Sequence, residues 1–349
     1  MSFSTLSVGE ALAAPAPYDT LIDVRSPAEF ADDHLPGAVN WPVLDDAERA
    51  HVGTVYTQVS TFEARKIGAA LVSRRIAGIL EQHVAAMPRE WRPLVYCWRG
   101  GQRSGSLGLV LGQIGFRTRQ LAGGYKAFRA QVREDLAAMP GRFELRVLAG
   151  RTGSGKTRLL GALAAAGGQT LDLEALAAHR GSVLGGLPTQ PQPSQKRFET
   201  LLWQAMRTLD PARPVFVESE SRRIGVRQLP DALLARIQQP ALMVHVALPI
   251  EERARLLLRD YAFFTSEVEQ LCERLQDLVA LRGKAMVAHW QALARAQDWA
   301  ALLPELMQLH YDPLYDKSTQ RQRGRPAMEL ALPDTGEAAL AAAARQLLA

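Results

Sequence analysis

Short apolar runs alternate along the chain with segments whose apolar positions recur every three to four residues, the pattern of strands threaded with helices. Near the start, residues 18–24 predict a strand, and Pro27-Ala28-Glu29-Phe30 predicts a helix start with Ser26 as cap and proline in the first turn. Residues 34–42 turn into another short strand. Helical patterns over residues 62–72 and 76–86 precede a buried strand at Pro93-Leu94-Val95-Tyr96. A helix over 101–114, a strand at Arg119-Gln120-Leu121 and the turn Gly123-Gly124-Tyr125 complete a small α/β unit with a parallel sheet.

A second α/β unit opens with an apolar strand at 143–149 that runs straight into Gly150. A helix from Lys156 to about residue 166 follows, and strands are predicted at 169–172, 215–217 and 242–247. Residues 251–309 read as helical, with Leu271, Leu275, Leu278 and Leu281 marking one face, and residues 337–349 as a terminal helix. Residues 130–142, containing Met139-Pro140-Gly141, are the expected linker. Residues 185–195, with Pro188, Pro191 and Pro193, are expected to be a mobile loop. The organisation is thus two α/β domains, 1–135 and 136–349, the second with a helical C-terminal portion.

Composition narrows the class. Hydrophobic residues make up 47% and charged residues 22% of 349 positions, so most of the chain folds, and its length suits two domains. No run of about 18 apolar residues exists to span a membrane. The alanine-rich stretch at 11–16 imitates a signal cleavage site, but residues 1–10 carry neither Lys nor Arg and no apolar segment precedes it. Two cysteines make no disulfide framework, which points to a reducing, cytoplasmic setting. A net charge of +5 does not by itself identify a polyanion binder. Only six of the 41 basic residues are lysines, and the planar fork of arginine matches phosphate, although codon bias in a GC-rich genome explains the excess equally well.

Two constellations carry chemistry. Cys97 follows the buried strand and begins Cys97-Trp98-Arg99-Gly100-Gly101-Gln102-Arg103-Ser104, which leads into a helix. A loop curling toward a helix N-terminus turns amide N–H groups inward, so it stabilises a thiolate, while Arg99 and Arg103 are candidate clamps for an oxyanion. Cys272, at helical spacing among polar neighbours, reads as structural. The second constellation, Gly150-Arg151-Thr152-Gly153-Ser154-Gly155-Lys156-Thr157, has the phosphate-loop spacing G-x-x-x-x-G-K-[ST] between a strand and a helix. Its amides wrap a phosphate, Lys156 neutralises charge, and the Thr157 hydroxyl is a magnesium ligand. Acidic candidates for the same ion are Asp172 after the second strand and Glu218 and Glu220 after the third. The aspartate usual at the third strand is replaced by Glu218, so ATP use stays open. Residues 310–317, His310-Tyr311-Asp312-Pro313-Leu314-Tyr315-Asp316-Lys317, read as a polar, aromatic loop. With Arg321, Arg323 and Arg325, its Tyr311, Tyr315 and Lys317 are candidates for stacking on bases and gripping a nucleic-acid backbone. No histidines stand at metal-ligand spacing with cysteine, so no zinc site is expected.

Several of these stretches resemble known signatures. Asp23-Val24-Arg25-Ser26-Pro27-Ala28-Glu29-Phe30, His34-Leu35-Pro36-Gly37-Ala38-Val39-Asn40, the Cys97 loop and Leu121-Ala122-Gly123-Gly124-Tyr125 resemble the successive motifs of a rhodanese domain. That likeness implies that Cys97 carries sulfur or selenium, with Asp23 and Arg25 beside the active loop. A rhodanese-like domain followed directly by a P-loop NTPase-like domain resembles one family over nearly the whole chain. Glu218-Ser219-Glu220-Ser221, Ile224-Gly225 and His310-Tyr311-Asp312-Pro313 add to the likeness. The family is the bacterial tRNA 2-selenouridine synthases, which are also tRNA 2-thiouridine geranyltransferases.

The resemblance implies a transferase acting on the wobble 2-thiouridine in the anticodon of tRNAs for Lys, Glu and Gln. Geranyl diphosphate would alkylate the sulfur, and selenium from selenophosphate would then replace the geranylthio group, with magnesium at the P-loop and a selenophosphate-producing enzyme as partner. Two competitors stand beside this reading. One is an ATP-dependent small-molecule kinase or ATPase fused to a sulfurtransferase domain, suggested by the strand at 244–249 and the arginine-bearing helix after it. The other is a non-catalytic RNA-binding adaptor, in which replacing Cys97 or Lys156 would leave function intact.

Overall fold

A computed structural model of the chain describes residues 4–99, 101–181, 185–186, 190–260, 267–319 and 327–349. Two compact units, Met1–Asp135 and Leu136–Ala349, divide it.

The first unit is built on five parallel strands, β1 (Ser4–Leu6), β2 (Thr20–Asp23), β3 (Val39–Asn40), β4 (Pro93–Tyr96) and β5 (Arg119–Leu121), in the order β1-β5-β4-β2-β3. Every residue of β4 is buried, as a central parallel strand covered on both faces requires. The two helices expected at 62–72 and 76–86 are one, Thr61–Ile79, continued by Leu80–Val84. Val72, Ile76 and Ile79 fall on its buried face, and the polar Ser73-Arg74-Arg75 triplet that resembled a break is the solvent side of the same helix. The linker expected at 130–142 is also ordered. It is the end of the helix Gly124–Ala138 and a single tight turn, Met139–Arg142, with Pro140 near its start.

The second unit carries β6 (Leu145–Ala149), β7 (Gln169–Leu171), β8 (Val215–Glu218), a small antiparallel hairpin of β9 (Arg223–Ile224) and β10 (Arg227–Gln228), β11 (Leu242–Ala247) and β12 (Ala327–Ala331). Its main sheet is parallel, in the order β12-β11-β6-β8-β7. The helices Lys156–Ala165 and Glu337–Leu348 close over it through Leu159, Leu163, Leu340 and Leu347. The chain reverses direction across the sheet beside β6, so the carboxyl ends of β6 and β8 form the crevice where open α/β sheets take ligands.

In the helical portion, Leu271, Leu275 and Leu278 pack with Trp290 and Leu302, but Leu281 is 62% exposed. The helix Val268–Gln276 ends before it, and the short helix Val279–Arg282 starts a new phase, so the extrapolated stripe fails there. Leu187, Pro188 and Thr189 of the expected mobile loop lie outside the described residues. Its second half is anchored: Gln192 Nε2 donates to the carbonyls of Ala177 and Ile224 at 2.9 and 3.0 Å, and its Oε1 accepts from the Val226 N–H at 2.8 Å.

Candidate functional site

Cys97 stands just past the end of β4 and is 4% exposed. Helix Gln102–Ile114 starts five residues on, and Ser104 in its first turn puts its Oγ 3.2 Å from the Cys97 Sγ. Burial pushes the thiol up, but the Ser104 hydroxyl and N–H, the Arg103 charge and the Gly101 N–H together outweigh burial and hold it below its ordinary value. The two glycines of Leu121-Ala122-Gly123-Gly124-Tyr125, both at positive φ, bring the next helix back under the loop. There the N–H groups of Tyr125 and Lys126 donate to the carbonyls of Cys97 and Trp98 at 2.8 Å each.

Three of the residues named from the sequence are held in ion pairs around the loop, Asp23 and Arg25 beside it as the resemblance implies. Arg103 forms a fork with Glu29, at 2.5 and 3.2 Å, and is not open to clamp an incoming oxyanion. Asp23 and Arg25 are 0% and 1% exposed and saturate one another, with Arg25 Nη2 2.6 Å from Asp23 Oδ2. Arg25 Nη2 also donates to the Asp33 carbonyl at 2.7 Å, and the guanidinium lies 3.8 Å from the centre of the Tyr125 ring. They brace the strand end beside the thiol and touch no open space. Arg99, by contrast, is exposed and makes no ion pair among the described residues.

The P-loop follows β6 as its motif requires. Gly150, Gly153 and Gly155 have positive φ, and a Cβ on Gly150 would lie 2.4 Å from Ser154 Oγ and 2.6 Å from the Val246 carbonyl oxygen. Lys156 Nζ rests 2.8 Å from the Gly150 carbonyl oxygen, folded over the loop it serves. The loop is braced from the helix Asp312–Thr319. Buried Arg253 donates to the Thr152 carbonyl at 3.0 Å and to both oxygens of Asp312 at 2.6 and 2.9 Å, while Arg151 pairs with Asp316 at 2.9 Å. The segment expected to be a nucleic-acid-binding loop is therefore helical throughout, in the turn Met307–Tyr311 and the helix Asp312–Thr319. Tyr311 and Tyr315 are half-buried, with the Tyr315 hydroxyl oxygen inside. The side chain of Lys317, and all of Arg321, Arg323 and Arg325, lie outside the described residues.

Beside the loop, Thr157 Oγ1 donates 2.6 Å to Glu218 Oε1 and lies 3.2 Å from Glu174 Oε2. Glu174, Glu218 and Glu220 bring one carboxylate oxygen each within 4.8 Å of one another. Burial first, and then mutual repulsion, raises all three, with Glu220 pushed up to about 7. Hard oxygen donors in this number fit Mg²⁺, and Glu218 Oε2 is buried without a hydrogen-bond partner, as an oxygen reserved for a cation would be. Asp172 is not in the group. It caps the helix Leu173–Ala177, accepting from the Ala175 N–H at 2.8 Å. Glu174 was missed from the sequence because an acid in the first turn of a short helix looks like a partner of the helix dipole. Ser104, seven residues after Cys97, carried no signal of its own.

Two family models cover most of this architecture. Residues 7–131 match the rhodanese-like domain, and residues 143–273 match the AAA domain of tRNA 2-selenouridine synthase. A tRNA 2-selenouridine synthase from Nitrosomonas europaea is 32% identical over 88% of this chain and 91% of its own. The chain belongs to the tRNA 2-selenouridine synthase family. Proteins of that name from Bdellovibrio bacteriovorus and Cupriavidus necator are 34% and 35% identical, over 86% and 87% of this chain and 89% of their own lengths. As a member of the family the chain is a transferase of tRNA modification. Its rhodanese-like and P-loop units are the α/β domains expected from the sequence, and no helix among the described residues is long and apolar enough to cross a membrane.

Proposed function

We propose that this transferase converts wobble 2-thiouridine to 2-selenouridine in tRNAs for Lys, Glu and Gln, in two stages that use geranyl diphosphate and then selenophosphate. The observation that carries the reading is the presence in one chain of two complementary sites. One is a phosphate loop with an oxygen-rich cation cluster, and the other a buried thiol supplied with hydrogen-bond donors.

In the first stage the 2-thio sulfur forms a bond to C1 of the geranyl group, the C1–O bond breaks, and diphosphate leaves with the electron pair. The amides of Gly150 to Thr157 and the Lys156 ammonium receive that charge. Thr157, Glu218 and Glu174 would hold magnesium, which neutralises charge on the leaving oxygens when bound. In the second stage C2 of the S-geranyl base is the electrophile. Cys97 adds to it and geranylthiolate leaves with the old C–S pair. The selenium of selenophosphate then displaces Cys97, and water cleaves the P–Se bond to give phosphate. Arg99 is the exposed cation beside this loop for the selenophosphate anion. The enzyme supplying selenophosphate is the implied partner, and the cytoplasm, where thiols stay reduced, the implied setting.

In phosphoryl transfer an arginine can stabilise the charge on the transferred phosphate. Arg253, on the helix that suggested one, is instead fixed by Asp312 and Thr152, and Arg255 pairs with Glu252. The deciding experiment is mass spectrometry of nucleosides from 2-thiouridine tRNA incubated with the protein, geranyl diphosphate and selenophosphate. S-geranyl and seleno products are expected, with Lys156→Ala losing the first and Cys97→Ala only the second. Unmodified tRNA together with ATP turnover would overturn the reading in favour of the kinase.

A further inference from the structure

The Ser104 hydroxyl beside Cys97 has one hydrogen to give and two acceptors in reach, the Cys97 Sγ at 3.2 Å and the Gly101 carbonyl oxygen at 3.3 Å. Ser104 is 0% exposed, so water does not settle the choice. Gln120 does. It lies on β5, paired in register with Val95 of the strand that carries the thiol, and its Nε2 stands 2.6 Å from Ser104 Oγ and 3.4 Å from the Gly101 carbonyl oxygen.

An amide nitrogen has two hydrogens and accepts none. One goes to Ser104 Oγ and the other to the Gly101 carbonyl, whose second lone pair already accepts from the Gly105 N–H at 3.0 Å, so the rival acceptor is filled and Sγ is left for the hydroxyl hydrogen. The flipped amide would set its oxygen against the Gly101 carbonyl oxygen, two acceptors facing each other, and would draw the Ser104 hydrogen away from sulfur. We propose that Gln120 is a positioning residue for Cys97: by donating to both Ser104 Oγ and the Gly101 carbonyl, it aims the Ser104 hydroxyl at the sulfur and so stabilises the thiolate. The inference rests on Cys97 being the reactive thiol of the function proposed above.

Thiol reactivity tests it without any tRNA chemistry. In the full-length protein carrying Cys272→Ala, the rate of Cys97 alkylation by iodoacetamide is followed against pH. The charged and titratable groups around the loop, Arg99, Arg103 with Glu29, the Asp23–Arg25 pair at the end of β2, Tyr96 and Tyr125, remain the same in every variant. Ser104→Ala should raise the midpoint by about 1–2 pH units, the worth of one hydrogen bond to a charged group. Gln120→Glu, which replaces a donor by an acceptor, should raise it at least as far, and Gln120→Leu less, because the hydroxyl then divides between its two acceptors.

In the Ser104→Ala background Gln120→Leu should add nothing, and whatever Gln120→Glu still adds there is direct charge repulsion, to be subtracted. Equal midpoints for the parent protein, Gln120→Leu and Gln120→Glu would overturn the proposal, as would a Gln120→Glu shift fully retained without Ser104. Circular dichroism of each variant confirms folding, and Gln120 is only half-buried, so both replacements fit its place. Selenation that survives Cys97→Ala would remove the functional reading and leave the alkylation result standing.

Discussion

Removing Asp312 tests whether the His310-Tyr311-Asp312-Pro313 segment is architecture or an RNA contact. Asp312 and Arg253 are 8% and 4% exposed, and Arg253 joins Asp312, through two hydrogen bonds, to the Thr152 carbonyl of the P-loop. Asp312→Ala leaves a guanidinium buried without its counter-ion, and breaking a buried pair from one side costs about 3–5 kcal/mol. For a unit spanning Leu136–Ala349 that corresponds to a fall in Tm of roughly 10 °C. Differential scanning calorimetry measures the shift, and hydrogen exchange of the peptide from β6 through the P-loop identifies the unit that loosened. Replacing both partners, Arg253→Met with Asp312→Leu, should recover most of the loss, because two apolar side chains need no counter-ion. An unchanged Tm in Asp312→Ala together with weakened tRNA binding would refute the architectural role and restore the RNA-binding one.

Other expectations follow from the two sites. The raised carboxyls of Glu174, Glu218 and Glu220 hold protons in the folded protein that the unfolded chain has already released. Without metal, stability should therefore be greatest at and below the ordinary carboxylate range and should fall as pH rises through about 7, the value for Glu220. Melts in EDTA at pH 5.5 and 8.5 measure this. Magnesium should restore the loss, Glu218→Gln should make the dependence shallower, and a flat profile would contradict it. Gly150→Ala drives a Cβ against the Val246 carbonyl oxygen 2.6 Å away, so it should cost on the order of 1–3 kcal/mol in a denaturant melt and weaken binding of inorganic diphosphate. Glu29→Gln should release Arg103 from its fork while keeping an acceptor for the Ser26 N–H. The alkylation midpoint of Cys97 should then drop by about half a pH unit, the range of a partly exposed ion pair, and an unchanged midpoint would show that Arg103 does not act on the sulfur.

The loops were legible because each joins the apolar end of a strand to a helix within a few residues: Leu94-Val95-Tyr96 before Cys97, and Val147-Leu148-Ala149 before Gly150. What the sequence hid lies in contacts between distant positions. Glu29 meets Arg103 from 74 residues away, and nothing in either local pattern marks the pair. β12 escaped notice because only Leu330 of its five residues is buried, and its partner β11 lies far back in the chain. The segment from Asp312 looked like a loop for its aromatic and polar content and its proline. Pro313, however, follows directly on the π-helical turn Met307–Tyr311 inside a continuous helical run, the kind of irregular turn at which a helix takes in a residue without an N–H.

The arginines around both sites share a fate that composition alone could not reveal. Four that flank the two loops, Arg25, Arg103, Arg151 and Arg253, are each forked onto a carboxylate, namely Asp23, Glu29, Asp316 and Asp312. An arginine so held fixes a loop and presents little net charge to an anion. On the proposed function, recognition of phosphate would therefore fall to groups that remain uncommitted: backbone amides turned inward by glycine, the Lys156 ammonium on a carbonyl it can leave, and exposed Arg99. Amides carry no mobile charge and need no reorganisation as a leaving group becomes negative. Both sites thus combine inward-turned amides with a few side-chain donors, the Ser104 hydroxyl at the thiol and the Lys156 ammonium at the P-loop, and the arginine forks hold that geometry in place.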